Sequence, residues 1–146
     1  MYTISKRFDF SASHQLFGLP EGHQCGRLHG HNYSVVLTLT SDELDPIGFV
    51  KDYGQLDAVK RFLDISVEHR HLNDVFEFNP TAENMAKYFY DTFKPMHPQL
   101  FSVQVKETDK TTATYTPATG LGDIEPMLKD LQAMMLKLKQ EMDSNA

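Results

Sequence analysis

A period of two, running through two long stretches, constrains this chain more than any other feature. In YTISKRFDFSASH, residues 2–14, the even positions Tyr2, Ile4, Phe8, Phe10 and Ala12 are mostly apolar and the odd positions are polar. In LHGHNYSVVLTLT, residues 28–40, the odd positions Tyr33, Val35, Leu37 and Leu39 share their parity with His29 and His31, and only Leu28 and Val36 break the small or polar character of the even positions. Successive side chains of a strand point to opposite faces, so each stretch predicts a half-buried strand. Gly18, Pro20, Gly22 and Gly26 make the segment between them a loop.

The rest of the chain changes period. Asp45-Pro46 and Gly48 carry turn chemistry, and Leu56, Val59, Phe62 and Leu63 then predict an amphipathic helix over 54–65. EHRHLND reads as a polar connector. A second helix is announced by Thr81 as N-cap, with Glu83 favourably placed in its first turn. Met85, Tyr88, Phe89 and Phe93 supply its apolar stripe, and Pro95 stops it. Phe101, Val103 and Val105 alternate in a third strand, with Glu107 on the same parity, and Thr111 to Tyr115 form a fourth. After Pro117, Gly120 and Gly122, a last helix is expected over 124–142. Its Leu and Met residues recur at seven-residue spacing (Ile124, Leu131, Leu138; Met127, Met134; Leu128, Met135, Met142), which predicts packing on its own domain or on a neighbouring subunit. The order strand, strand, helix, helix, strand, strand predicts an α+β fold: an antiparallel sheet with helices on one side. Residues 1–117 are expected to form the main unit, with 118–146 as a helical extension of the same domain.

Composition narrows the function. A chain of 146 residues, 40% hydrophobic, is long enough to bury a core without staples. The single cysteine, Cys25, cannot form an internal disulfide, and the N-terminus MYTISKRFDF has no signal-peptide pattern, so a cytoplasmic protein is expected. No apolar run approaches the roughly 20 residues that span a bilayer. The formal charge of −6 argues against a general nucleic-acid surface. An anionic small substrate would need local cations, for which Arg27 and Lys106 are candidates.

The histidine pattern points to a metal. His29 and His31, two residues apart on a strand, project to one face. His14 has the parity of the apolar face of the first strand, so pairing of the two strands brings it opposite them. Three neutral imidazoles with an open position suit a catalytic zinc ion, and a thiolate in the fourth position would make the site structural. Cys25, in the loop four residues before His29, can serve either as that ligand or as a reagent hanging over an open position. The competing reading is that these are ordinary core or rim histidines. His71 and Asp74 read as polar groups of a turn and helix entry, and His23 as solvated.

The segments FSASH, PEGHQCGRLHGHNY, EHRHLND, NPTAEN and VKET follow one another in this order. Over residues 2–116 the series resembles the 6-pyruvoyl-tetrahydropterin synthase family, and the cysteine separated from HGH by three residues resembles its bacterial 6-carboxy-5,6,7,8-tetrahydropterin synthase branch in queuosine biosynthesis. The resemblance implies the tunnelling fold, ββααββ, in homo-oligomers, usually hexamers, with active sites at subunit interfaces. It implies a zinc-dependent lyase that converts 7,8-dihydroneopterin triphosphate to 6-carboxytetrahydropterin, releasing triphosphate and acetaldehyde. By that resemblance His14, His29 and His31 hold Zn²⁺, Cys25 is a catalytic base, Glu68 and His69 form a proton-handling pair, and Glu107 anchors the pterin. Thr81 and Glu83 are further substrate contacts, though a helix start alone accounts for them, and Arg27 is a candidate for the triphosphate. Two other activities stay open: retention of the carbon side chain, as in a 6-pyruvoyl-tetrahydropterin synthase, and zinc and pterin binding without turnover. The family usually has Asp where this chain has Glu68, and the stretch from about 118 exceeds the compact family pattern.

Overall fold

The two alternating stretches pair with each other along their whole length. Strand β1 (Tyr2–His14) runs antiparallel to β2 (His29–Ser41) in a register that joins Tyr2 to Ser41 and His14 to His29. Strand β4 (Leu100–Thr108) lies on the other side of β2, and β5 (Thr111–Tyr115) lies on β4 across a register shift. In this computed structural model the described residues are 1–118, 129, 131–137, 139, 140 and 142. They belong to two compact units, Met1–Thr116 and Pro117–Ala146.

Register puts like with like. Phe8 faces Val35, Phe10 faces Tyr33, and Val35 and Leu37 face Val105 and Val103, all buried. Helices α1 (Asp57–Ser66) and α3 (Ala82–Phe93) cover this face through Val59, Leu63, Met85, Phe89 and Phe93, which exclude solvent completely. Phe89 meets Phe10 edge-on and stacks on Phe93. Thr81 caps α3, its hydroxyl accepting from the Asn84 N–H at 3.2 Å. The opposite face of the sheet is polar and side-chain bonded: Ser5 with Thr38, Ser11 with Asn32, and Ser34 with Asp9.

The sheet is mixed, where sequence predicted it antiparallel. The expected connector EHRHLND contributes a two-residue strand, β3 (Arg70–His71), parallel to β1 at Ala12 and Ser13, and a four-residue helix, α2 (Leu72–Val75). The sheet order is β3-β1-β2-β4-β5. So short a strand has no periodicity to read; β1 needs partners along its free edge, and backbone pairing supplies them. In the second unit, residues 129, 131–137, 139, 140 and 142 are helical, and Leu131, Met134, Met135 and Met142 are exposed. The expected stripe positions Ile124, Met127, Leu128 and Leu138 lie outside the described residues. Among the described residues no helix is long and apolar enough to cross a membrane.

Candidate active site

The last pairs of the β1–β2 ladder build a three-histidine cluster. His14 sits directly opposite His29, and Ala12 opposite His31, so the shared parity of all three rings turns them to one side. One ring nitrogen from each lies within 4.8 Å of the others. The backbone assigns the tautomers. His14 Nδ1 is 2.8 Å from the Pro80 carbonyl and His29 Nδ1 is 2.6 Å from the Arg27 carbonyl. A carbonyl only accepts, so each Nδ1 carries the proton and donates it. The two Nε2 atoms are then bare acceptors, and they face each other at 3.0 Å. His31 Nε2 is also buried, with no hydrogen-bond partner among the described residues.

Two lone pairs facing each other at 3.0 Å, with a third ring nitrogen close by, repel one another unless a cation lies between them. Protonation is the poorer remedy: burial holds the pKa of His14 and of His31 below the ordinary value. A metal ion satisfies all three at once, and the donor set, three imidazoles of which His14 and His29 are oriented by carbonyls, suits zinc. Among the described residues this is the group fit to hold one.

Tyr33 lies against the rings, its hydroxyl buried and unpaired among the described residues; burial first and the Glu107 charge second drive its pKa far up. Glu107, at the rim, places one carboxylate oxygen 3.8 Å from His14 Nε2. Its even-numbered neighbour Lys106 pairs with Ser34 and so faces the opposite side of the sheet. Arg27 is exposed, and its contribution to the cluster is its main-chain carbonyl.

Cys25 is half-buried and stands outside the ligand cluster. It lies in a 3-10 turn, Gln24–Gly26, that His23 caps: the ring Nδ1 accepts from the Cys25 N–H at 3.1 Å. His23, expected to be merely solvated, thus has a local structural role. The loop is closed by Leu16 N–H to the Cys25 carbonyl at 3.0 Å and by the Gln15 amide to the Gly26 carbonyl at 2.8 Å.

Glu68 and His69 form an ion-pair geometry at 3.0 Å, Oε1 to Nε2. Both are tied to Ser11: its N–H donates to Glu68 Oε2 at 3.3 Å, and its carbonyl accepts from the His69 N–H at 2.7 Å. His69 has a φ of 53°, a left-handed conformation rare for a side-chain-bearing residue. Its side chain is 81% exposed, so in the single chain it is open to solvent or to a neighbour. An open cleft of about 480 Å³ is lined by Ser11, Ser13, His31, Asn32, His69 and His71. Glu83 is exposed in the first turn of α3, and Thr81 is occupied as its cap.

Some contributors were invisible to pattern. His71, expected as a turn residue, has Nδ1 3.0 Å from Ser13 Oγ. Pro80 serves through its carbonyl, and Asn73 and Asn79 through amides that bond the backbone of Gln15 and Phe17. Only the location of these asparagines inside HLND and NPTAEN hinted at use.

Comparison with known proteins agrees with this arrangement. The family model described as 6-pyruvoyl tetrahydropterin synthase matches residues 3–118. The 6-carboxy-5,6,7,8-tetrahydropterin synthase of Bacillus subtilis is 31% identical over 132 residues, covering 82% of this chain and 88% of that protein. The protein of that name from Synechocystis is 36% identical over 126 residues, covering 79% and 93%. The human 6-pyruvoyl tetrahydrobiopterin synthase is 33% identical over 133 residues, covering 77% and 89%. The solved structure of the Caenorhabditis elegans 6-pyruvoyl tetrahydropterin synthase superposes with a TM-score of 0.71 at 30% identity, covering 80% of this chain and 96% of that one. With the motif order, the fold and the histidine cluster in agreement, the chain belongs to the 6-pyruvoyl tetrahydropterin synthase family.

Proposed function

We propose that this protein is a zinc-dependent 6-carboxy-5,6,7,8-tetrahydropterin synthase, acting on 7,8-dihydroneopterin triphosphate and releasing triphosphate and acetaldehyde. The observation that carries the reading is the convergence of three imidazole nitrogens, two of them bare and 3.0 Å apart, in a chain of a pterin-enzyme family. His14, His29 and His31 would hold the zinc ion, which supplies Lewis acidity toward the oxygens of the substrate side chain.

The chain's own residues then divide the proton work. The Cys25 thiolate removes a proton from the substrate side chain. His69, held by Glu68, returns protons or serves the cleavage step, and its exposure suits work on a neighbouring subunit's site in a homo-oligomer, a hexamer by resemblance. Glu107 accepts hydrogen bonds from the amino and N–H edge of the ring. Thr81, Glu83 and Arg27 complete the substrate contacts. The extra methylene of Glu68 relative to the family Asp is compatible with orienting His69, since one carboxylate reaches the Ser11 N–H and His69 Nε2 together.

Product analysis tests the reading. Purified zinc-loaded protein with 7,8-dihydroneopterin triphosphate is expected to release acetaldehyde and yield the mass of the 6-carboxy product. The mass of a product retaining its side chain would favour the 6-pyruvoyl activity, which the human relative motivates. Binding without any product would make this a zinc- and pterin-binding protein. Cys25→Ala is expected to keep zinc and lose most turnover; loss of zinc would make Cys25 a ligand.

A further inference from the structure

We infer that Asn73 and Asn79 are positioning residues that hold the Cys25 loop in place, by continuing the free edge of β1 with side-chain amides. The inference rests on the proposed role of Cys25.

The odd residues of β1 turn their N–H and C=O groups toward β3. Ser11 is bonded there by Glu68 and His69, and Ser13 lies beside His71. The strand β3 then ends at His71, but the ladder goes on. Gln15 N–H donates to Asn73 Oδ1 at 2.9 Å, and Asn73 Nδ2 donates to the Gln15 carbonyl at 2.7 Å. Two residues further, Phe17 N–H donates to Asn79 Oδ1 at 3.2 Å, and Asn79 Nδ2 donates to the Phe17 carbonyl at 2.9 Å. A carboxamide carries the same donor and acceptor as a peptide group, so each asparagine stands in for one residue of a missing strand. An ionised aspartate of the same size offers only the acceptor.

Leu16, between the two clamped residues, faces the other way, and its N–H holds the Cys25 carbonyl at 3.0 Å. The Gln15 side chain holds Gly26. The thiol's backbone thus hangs from a short segment pinned at both ends. The anchors are themselves fixed: Asn73 sits in α2, and the Asn79 carbonyl accepts from the Thr81 N–H at 2.7 Å and the Asn84 amide at 2.9 Å, at the start of α3. A base must be held to within fractions of an ångström of its proton, and the His23 cap orders the Cys25 turn internally without fixing it against β1.

The experiment uses zinc-loaded full-length protein and the variants Asn73→Ala, Asn79→Ala and Asn73→Asp. Wild-type turnover and its loss in Cys25→Ala establish the reading on which the inference rests; their failure removes that reading and is seen without the asparagine variants. Given turnover, each alanine variant is expected to lose about 10–100-fold in kcat with KM changed less than about threefold, the scale of an ångström-sized misplacement. Zinc content stays at wild-type level, and amide exchange accelerates at Leu16 and Gly26. Asn73→Asp adds a pH signature. Its ionised carboxylate accepts but cannot donate to the Gln15 carbonyl, whereas the protonated acid does both. Its kcat relative to wild type is therefore expected to recover as pH falls toward the carboxyl range, while that of Asn73→Ala stays flat. Wild-type kcat in both alanine variants overturns the inference, as does a loss matched by loss of zinc. If the alanine variants fail to fold, a flat Asn73→Asp ratio overturns it instead.

Discussion

Replacing His31 by leucine should change the sign of its effect with zinc. Without metal, His31 Nε2 is a buried polar atom with no partner among the described residues, and such a group costs about 1–3 kcal/mol. Leucine removes that cost while keeping the contacts the ring makes with His14, His29 and Tyr33 close to filled. In metal-free protein the variant should lie within about 1 kcal/mol of wild type, or above it. With free zinc a hundredfold above its dissociation constant, wild type gains about 2.7 kcal/mol. A variant whose affinity has fallen by about a hundredfold retains only about 0.4 kcal/mol of that gain, by the same relation. For a chain of this length 1 kcal/mol corresponds to about 3–5 °C, so zinc should raise the wild-type melting temperature by about 10 °C and that of the variant by about 1–2 °C. Calorimetry with chelator and with buffered zinc measures all four states. An equal destabilisation by His31→Leu in both conditions would refute the argument, because His31 would then be an ordinary packed histidine.

Three further outcomes follow from the fold. His97 is 4% exposed, and both its ring nitrogens lack a partner among the described residues. Burial first and the Lys51 charge second hold its pKa below the ordinary 6.5. The unfolded chain therefore binds its proton before the folded one does, and stability falls as pH drops through 6.5 toward the folded value; urea midpoints at about pH 7.5 and about pH 5 should show a smaller fall in His97→Leu than in wild type. Thr81→Ala removes the α3 cap and should cost about 1 kcal/mol in urea unfolding, with Thr81→Ser close to wild type. Phe89→Ala opens a cavity between Phe10, Phe76 and Phe93 and should cost about 3–5 kcal/mol, or prevent folding, while Tyr88→Ala, half-buried beside it, should cost less.

Much of the fold was legible because its signals are periodic. The alternation in residues 2–14 and 28–40 placed β1 and β2 to within a residue at each end, and Thr81 marked the start of α3. The same alternation put His14 on the face of His29 and His31 before any pairing was known. The two-residue β3, the four-residue α2 and the bonds of Asn73 and Asn79 left no such trace. Their signal is a hydrogen bond to a backbone far along the chain, and residue type does not report it.

Side-chain parity belongs to the chain itself, since the period of a strand is a property of its covalent geometry. Sequence therefore determined which faces are apolar and that three histidines share one. Register does not belong to the chain: the pairing of His14 with His29 arises from the whole β1–β2 ladder. Only that tertiary ladder decided that two Nε2 atoms meet at 3.0 Å, with their protons drawn away to the carbonyls of Pro80 and Arg27. The thiol's place is decided by Leu16 and two distant asparagines, because a glycine-rich loop takes its conformation from whatever it is bonded to.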